Sequence, residues 1–286
     1  MTQSPVFHSP SDDPAMEQAA VKARQTFRFF WRETAWERRR IIPGLNVAAV
    51  KAAFSDPPEM REKNPDTLDV ENMWLNDVDF DGRTVYGTLL NNPETLQSVS
   101  EGEKVEIPPS RVVDWMYVIA TGAVCGGFTI DLIRSRMGPR ERKQHDDAWG
   151  MEFGEVGIVD VVPREFLGED GPKKKGIFSM FSKPAPLVPQ DYVALAALEH
   201  PMSVNMRDSL DKALQENPEF LTEPDERGFT FLHQLALAGS LDGVDVCIKH
   251  GAKVKQPAKN GMTPLMLAKC LGWTKVMDRL KQAGAT

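Results

Sequence analysis

Shifted by 33 residues, the C-terminal part of the chain falls on itself. Gly228-Phe229-Thr230-Phe231-Leu232-His233 lies over Gly261-Met262-Thr263-Pro264-Leu265-Met266. The correspondence continues with Gly239 over Gly272, Val244 over Met277 and Gly251-Ala252 over Gly284-Ala285. A match held through a whole unit marks two copies of one supersecondary element, each too small to bury its apolar face except against a neighbour.

The period and the T-P-L-H-like core resemble the ankyrin repeat. That resemblance implies an all-α domain over 190–286, with repeats at 225–257 and 258–286. Thr230 and Thr263 are then expected to cap the first helix of each repeat. Gly239 and Gly272 would allow the turn between helices, and Gly251 and Gly284 would close the second helix in a left-handed conformation. Phe231, Met266 and Lys269 depart from the usual pattern. His233 reads as a structural histidine. A degenerate cap at 190–224 is expected as a helix pair, Gln190 to Glu199 and Met206 to Asn217. Ankyrin proteins usually bind through turn tips and first helices, which nominates Arg227, Phe229, Gln234, Leu237, Asn260, Met262, Met266, Lys269 and Trp273 as partner-binding residues.

Upstream, Asp13-Pro14 opens a helix, with Asp as cap and Pro at the first position. Met16, Ala20, Ala23, Phe27 and Phe30 form its apolar stripe, reaching about Ala35. Lys22, Arg24, Arg28 and Arg32, continued by Arg38-Arg39-Arg40, read as a solvated basic face. The period then changes. Val70, Asn72, Trp74, Asn76 and Val78 alternate with Glu71, Met73, Leu75 and Asp77, and Asp81-Gly82 turns the chain into Thr84–Leu89, a hairpin. Runs at 104–107, 112–118 and 128–133 follow, separated by Gly, Pro and Asn, and read as further short strands. One amphipathic helix followed by such strands indicates an α+β domain with a bent antiparallel sheet over 14–160. Val47–Phe54 is ambiguous from propensity. Residues 1–13 read as a flexible start and 161–189 as a Pro-, Gly- and Lys-rich linker.

Net charge is −7. This weighs against the nucleic-acid backbone as a ligand and favours a basic protein partner. The acids concentrate upstream: residues 56–106 hold 13 acids against 4 bases. The three cysteines, Cys125, Cys247 and Cys270, lack CxxC spacing and read as reduced core residues. The first residues lack a signal-peptide pattern, and no apolar run approaches the ~20 residues that span a bilayer. Phe178 and Phe181 beside Lys173-Lys174-Lys175 offer too little apolar area for membrane anchoring. A cytoplasmic location is expected.

Few strings suggest chemistry. Asp77-Val78-Asp79-Phe80-Asp81-Gly82 begins like a calcium loop, but Thr88 stands where the bidentate Glu belongs and the flanks are strands. Cys125 with His145 and Asp146 lacks a thiol-hydrolase signature. No nucleotide-, metal- or serine-hydrolase motif occurs. The expectation is a non-enzyme without cofactor or metal, with Glu71, Asp77, Asp79 and Asp81 as a second, acidic patch for a partner.

Glu71-Asn72-Met73-Trp74-Leu75, Gly87-Thr88-Leu89, Asn92-Pro93, Gly102, Asp114-Trp115-Met116-Tyr117 and Gly126-Gly127-Phe128-Thr129 together resemble the bacterial YegJ-like family (DUF2314), a domain of unknown function. The resemblance covers roughly 15–136 and implies that 47–54 is a strand carrying Lys51. It also implies that Trp74 and Trp115 fill the sheet's core while Asn92 and Asp114 fix turns or backbone. Such a domain joined to ankyrin repeats is similar to the immunity proteins of type VI secretion and other bacterial toxin systems. That architecture implies a cytosolic protein that neutralises a cognate toxin, of nuclease type, by occlusion. The rivals are an adaptor, scaffold or chaperone, and an enzyme using the acidic strand-loop residues.

Overall fold

A computed structural model describes residues 13–60, 70–167 and 191–286. Nearly all of the start expected to be flexible and most of the expected linker, including Phe178, Phe181 and the three lysines before them, lie outside the described residues. The chain divides into two compact units: residues up to 30 with 40–163, and residues 31–39 with 164–286.

In the first unit Asp13 caps helix α1 (Pro14–Glu37), its Oδ1 accepting from Ala15 N at 3.0 Å. A six-stranded antiparallel sheet follows in the order β4-β3-β2-β1-β5-β6. Its strands are β1 (Leu45–Phe54), β2 (Glu71–Phe80), β3 (Val85–Leu89), β4 (Lys104–Ile107), β5 (Val112–Ile119) and β6 (Val124–Gly126). The ambiguous 47–54 segment is therefore the strand between β2 and β5.

Ala23, Phe27 and Phe30 of α1 pack on aromatic residues of the sheet. Trp115 Nε1 donates to Ala23 O at 2.9 Å, and Phe27 meets Phe80 edge-on at 5.5 Å. The alternation read along β2 fails at one point. Asp77 adopts φ 48°, and pairing with β3 slips between Asn76 and Asp79. This extra residue is a bulge, so Met73, Leu75, Val78 and Phe80 are the buried set and Asp77 leaves their face.

The run 128–133 is a helix rather than a strand. Helix α2 (Phe128–Arg136) begins where Gly126 and Gly127, both at φ 80°, turn the chain off the sheet. A further helix absent from the sequence reading, α3 (Pro139–Trp149), starts on Pro139 and stops at left-handed Gly150. Met116, Val118, Val124 and Ile130 gather Trp74, Trp149, Met151 and Phe153 into a second cluster. The domain also runs past 160. Val161 and Val162 are buried, and Tyr117 Oη donates to Val161 O, so the expected linker starts inside this core.

The second unit contains three helix pairs: α4 (Tyr192–Ala196) with α5 (Pro201–Glu216), α6 (Phe231–Ala238) with α7 (Leu241–Lys249), and α8 (Pro264–Cys270) with α9 (Thr274–Gln282). Helix α5 starts five residues before the expected Met206, because His200 Nδ1 accepts from Met202 N and Pro201 pre-sets the first turn. Thr263 Oγ1 accepts from Met266 N, and the Thr230 amide donates to His233 Nδ1 at 3.1 Å.

The core joins Leu214, Leu232, Leu235, Val244, Cys247, Trp273, Val276 and Leu280 to Trp36, near the end of α1. Arg32, one turn before Trp36, is 4% exposed and so is not part of a solvated face. Its Nη1 donates to Leu198 O, and its guanidinium lies 5.3 Å over the Trp273 ring. Next to it, His200 Nε2 lies 3.0 Å from Glu33 Oε2. Since Nδ1 of that ring accepts from Met202, Nε2 carries the proton and donates.

Candidate functional site

Three residues of the region that carries the YegJ-like resemblance, Lys51, Trp74 and Asp114, meet on one face of the sheet. Lys51 of β1 pairs in register with Trp74 of β2 on one side and with Asp114 of β5 on the other. Residues opposite each other on adjacent strands share a face, so the three form a row across the middle of the sheet. Lys51 Nζ lies 4.8 Å from the Trp74 ring centroid and donates to Thr129 Oγ1 at 3.1 Å. Asp114 is fully buried. Its carboxylate accepts from the amides of Trp115, Phe128 and Thr129 and from the Thr129 hydroxyl.

Asp114 thus fixes the first turn of α2, where unpaired amides and the helix dipole favour a carboxylate. Burial lowers the Lys51 pKa against the pull of Asp114, and raises that of Asp114 against Lys51 and the Thr129 bonds. Trp115 fills the core under α1, as the resemblance implies. Trp74 is half-buried on the opposite face, where it packs on the second cluster and shields the lysine. Each group in the row is held by its neighbours, and the arrangement locks helix to sheet.

A second buried cluster uses Arg134, which meets Asp146 through Nε at 2.9 Å and Nη2 at 2.8 Å and donates to Gly154 O. Burial opposes ionisation of Asp146, but its bonds from Arg134 and His145 outweigh it and lower the pKa. The His145–Asp146 pair considered with Cys125 is thereby tied into structure. Cys125 and Cys247 are buried, whereas Cys270, expected in the core, is exposed in the last turn of α8.

The acidic residues nominated as a patch have separate tasks. Glu71 accepts from the amides of Glu94, Thr95 and Leu96 and from the Thr95 hydroxyl, so it shapes the loop after β3. Asp81 is buried in the hairpin turn, accepting from Arg83 N and Thr84 N. Asp79 accepts from the next amide, Phe80 N, and Asp77 forms the exposed bulge. Among the described residues, no group of three or more His, Cys, Asp or Glu is placed to hold a metal ion. No described helix is long and apolar enough to cross a membrane.

In the repeats, four nominated residues prove to be core. Trp273 is 2% exposed, packed over Gly239 with Nε1 donating to Leu237 O at 3.0 Å. Leu237 and Met262 are buried, and so is Phe229, which stacks on His233 at 5.5 Å. Residues flanking the helices fill the space between repeats, which spacing alone does not reveal. Gln234 is half-buried and accepts from Arg39 Nη2, so the chain itself occupies part of the α6 face. Arg227 lies over Phe229 near Asp225, and Asn260 accepts from Met262 N. Met266, 44% exposed, and Lys269 face solvent on α8. His233 accepts from Thr230 at Nδ1 and bonds Gln256 O through Nε2 at 2.9 Å.

Beside the nominated Asn260 and Met262, the turn between α7 and α8 holds lysines that the sequence analysis did not single out. Lys253, Lys255 and Lys259 are exposed there, and Lys259 N donates to Arg227 O, tying this turn to the preceding one. The available signal was the lack of any acid from 246 to 277, a stretch holding six lysines.

Residues 13–153 match the family described as an uncharacterized protein conserved in bacteria, DUF2314. A putative ankyrin repeat protein of Neisseria meningitidis serogroup B is 36% identical over 281 residues, covering 98% of each chain. The uncharacterized protein YegJ of Escherichia coli is 30% identical over 82 residues, 25% of this chain and 53% of its own. Among solved structures, the human ASB11 ankyrin repeat domain matches 31% of this chain and 41% of its own at 22% identity and TM-score 0.25. A chain of the complex between the predatory endopeptidase Bd0816 of Bdellovibrio bacteriovorus and immunity protein Bd3460 matches 31% of this chain and 49% of its own, at 24% identity and TM-score 0.26. Each solved chain is matched over less than half its length. The near full-length match, with the repeats it shares, places this chain in the family of the Neisseria ankyrin repeat protein, with a DUF2314 domain as its N-terminal part.

Proposed function

We propose that the chain binds a protein partner through its repeats and acts as a cytosolic immunity protein, neutralising a cognate toxin by occlusion. One observation carries the binding part. The ionisable groups Lys51, Asp114, Asp146 and His233 are each committed to hydrogen bonds within the fold, while Met266, Lys269 and the lysines of the α7–α8 turn face solvent with no such task. Catalysis needs a titratable group free to meet a substrate. Recognition needs a rigid exposed surface, and the repeats supply one. The Neisseria relative's description as an ankyrin repeat protein supports the same reading.

The test is co-expression with the product of a neighbouring toxin gene. Cells should survive with this protein and die without it, and a purified mixture should elute as one complex. Equal killing in both cases removes the immunity reading. It leaves the adaptor, for which the same purification should recover a different, non-toxic protein.

A further inference from the structure

We infer that the turn between α7 and α8, with the exposed edge of α8, docks an acidic segment of the protein partner. Such docking rests on the protein-binding reading above, and the distribution of charge points to it. The whole chain carries −7, yet residues 246–277 carry six lysines and no acid. Two of these lysines are occupied. Lys249 is paired with Asp211 at 2.7 Å, and Lys275 donates to Ala197 O. Lys253, Lys255, Lys259 and Lys269 are exposed and make no ion pair among the described residues.

The backbone beneath these lysines is well defined. Ala258 N donates to Met262 O, Gly261 N to Ala258 O, and Lys259 N to Arg227 O at 2.9 Å, which sets Lys259 beside the preceding turn. Gly251 to Gln256 line an open depression, with Lys253 and Lys255 flanking half-buried Val254. Met266 lies one helical turn before Lys269 on α8 and adds exposed apolar surface to the lysines.

Unpaired ammonium groups held on a rigid turn attract carboxylates and raise association rates. The apolar Met266 and Val254 among them suit a protein segment better than a phosphate backbone. The strongly acidic remainder of the chain also repels an extended polyanion. The acids of the neighbouring turn, Glu223 and Glu226, mark the edge of the basic surface.

The test uses the full chain and a fluorescent decaglutamate peptide, read by anisotropy. Binding should be measurable at low salt and vanish at about 1 M, where the Debye length is about 3 Å. The variant K253E/K255E/K259E should weaken it about tenfold or more with an unchanged thermal midpoint, because these side chains have no partners to lose. The control K22E/R83E/K104E, with the same change in net charge, should weaken it by less than about twofold. Three outcomes overturn the inference: no binding by the unmodified chain, equal loss in both variants, or tighter binding of an oligothymidylate of equal charge that also depends on the turn. Should co-expression fail to protect while the peptide result holds, only the immunity reading falls. Protection with no peptide binding removes only the acidic-segment inference.

Discussion

Thr129 binds one oxygen of Asp114 twice, through its amide at 2.7 Å and its hydroxyl at 2.6 Å. The same hydroxyl accepts from Lys51, so a strand, its neighbour and the first turn of α2 meet in one set of bonds. Asp114→Ala should cost about 3–5 kcal/mol, since it strands a buried ammonium and uncaps the helix. Adding Lys51→Met should restore at least about 1 kcal/mol, because two apolar side chains leave no uncompensated charge. Chemical denaturation of the four proteins checks this. Additive losses would show that the two residues do not act together.

His233 supplies a pH dependence. Burial lowers its pKa below the ordinary 6.5, against the bond to Gln256. The unfolded chain therefore takes up a proton at higher pH than the fold does. Its contribution to stability is complete above pH 6.5 and falls as pH drops from there toward the folded value. The urea midpoint of the wild type should decline between about pH 7.5 and 5.5 more steeply than that of His233→Gln. Parallel slopes would assign the decline to other groups.

Gly239 is expected to tolerate no side chain. A Cβ there would lie 2.4 Å from the Trp273 ring, on a backbone at φ 72°. Gly239→Ala should destabilise the repeats by about 2 kcal/mol or more, combining strain with displacement of the indole. Tryptophan fluorescence and the denaturation midpoint should both move. A shift below about 0.5 kcal/mol would mean that the indole can swing aside at little cost.

Glu71 separates a structural acid from a docking one. Its carboxylate gathers three successive amides and a hydroxyl, and these donors lower its pKa although partial burial opposes them. Glu71→Ala should speed hydrogen exchange at the amides of Glu94, Thr95 and Leu96 while leaving partner affinity unchanged. Loss of affinity without faster exchange would return Glu71 to the interface.

Much of this fold was legible because local chemistry and tertiary packing agree. Asp13-Pro14 opened a helix, Asp81-Gly82 turned a hairpin, and the 33-residue period located the helix pairs of the repeats. The residues that misled are those whose role depends on distant partners. Phe128–Ile133 has strand composition, but the carboxylate of Asp114 caps it as a helix. Trp273 sits where the repeat often offers a contact, yet Gly239 leaves a slot that buries it. Arg32 continues a basic stripe in sequence and ends buried over the Trp273 ring. Net charge averages an acidic domain with a basic turn, so the sign of any one surface was not legible in it. The row of Lys51, Trp74 and Asp114 was visible only as a family resemblance, because register across three strands is not written in any one of them.

The bulge at Asp77 carries a consequence for the tolerance of this gene to small deletions. Removing that one exposed acid would bring the hairpin into simple alternation, because Met73, Leu75, Val78 and Phe80 would then recur at every second position. Val78 and Phe80 would keep the core face and Asp79 the other, so the shortened strand would still carry its apolar set in phase. A codon lost at position 77 therefore acts as the loss of a spacer: the reading of the strand is kept, and only the local bend and twist that the bulge gives it disappear.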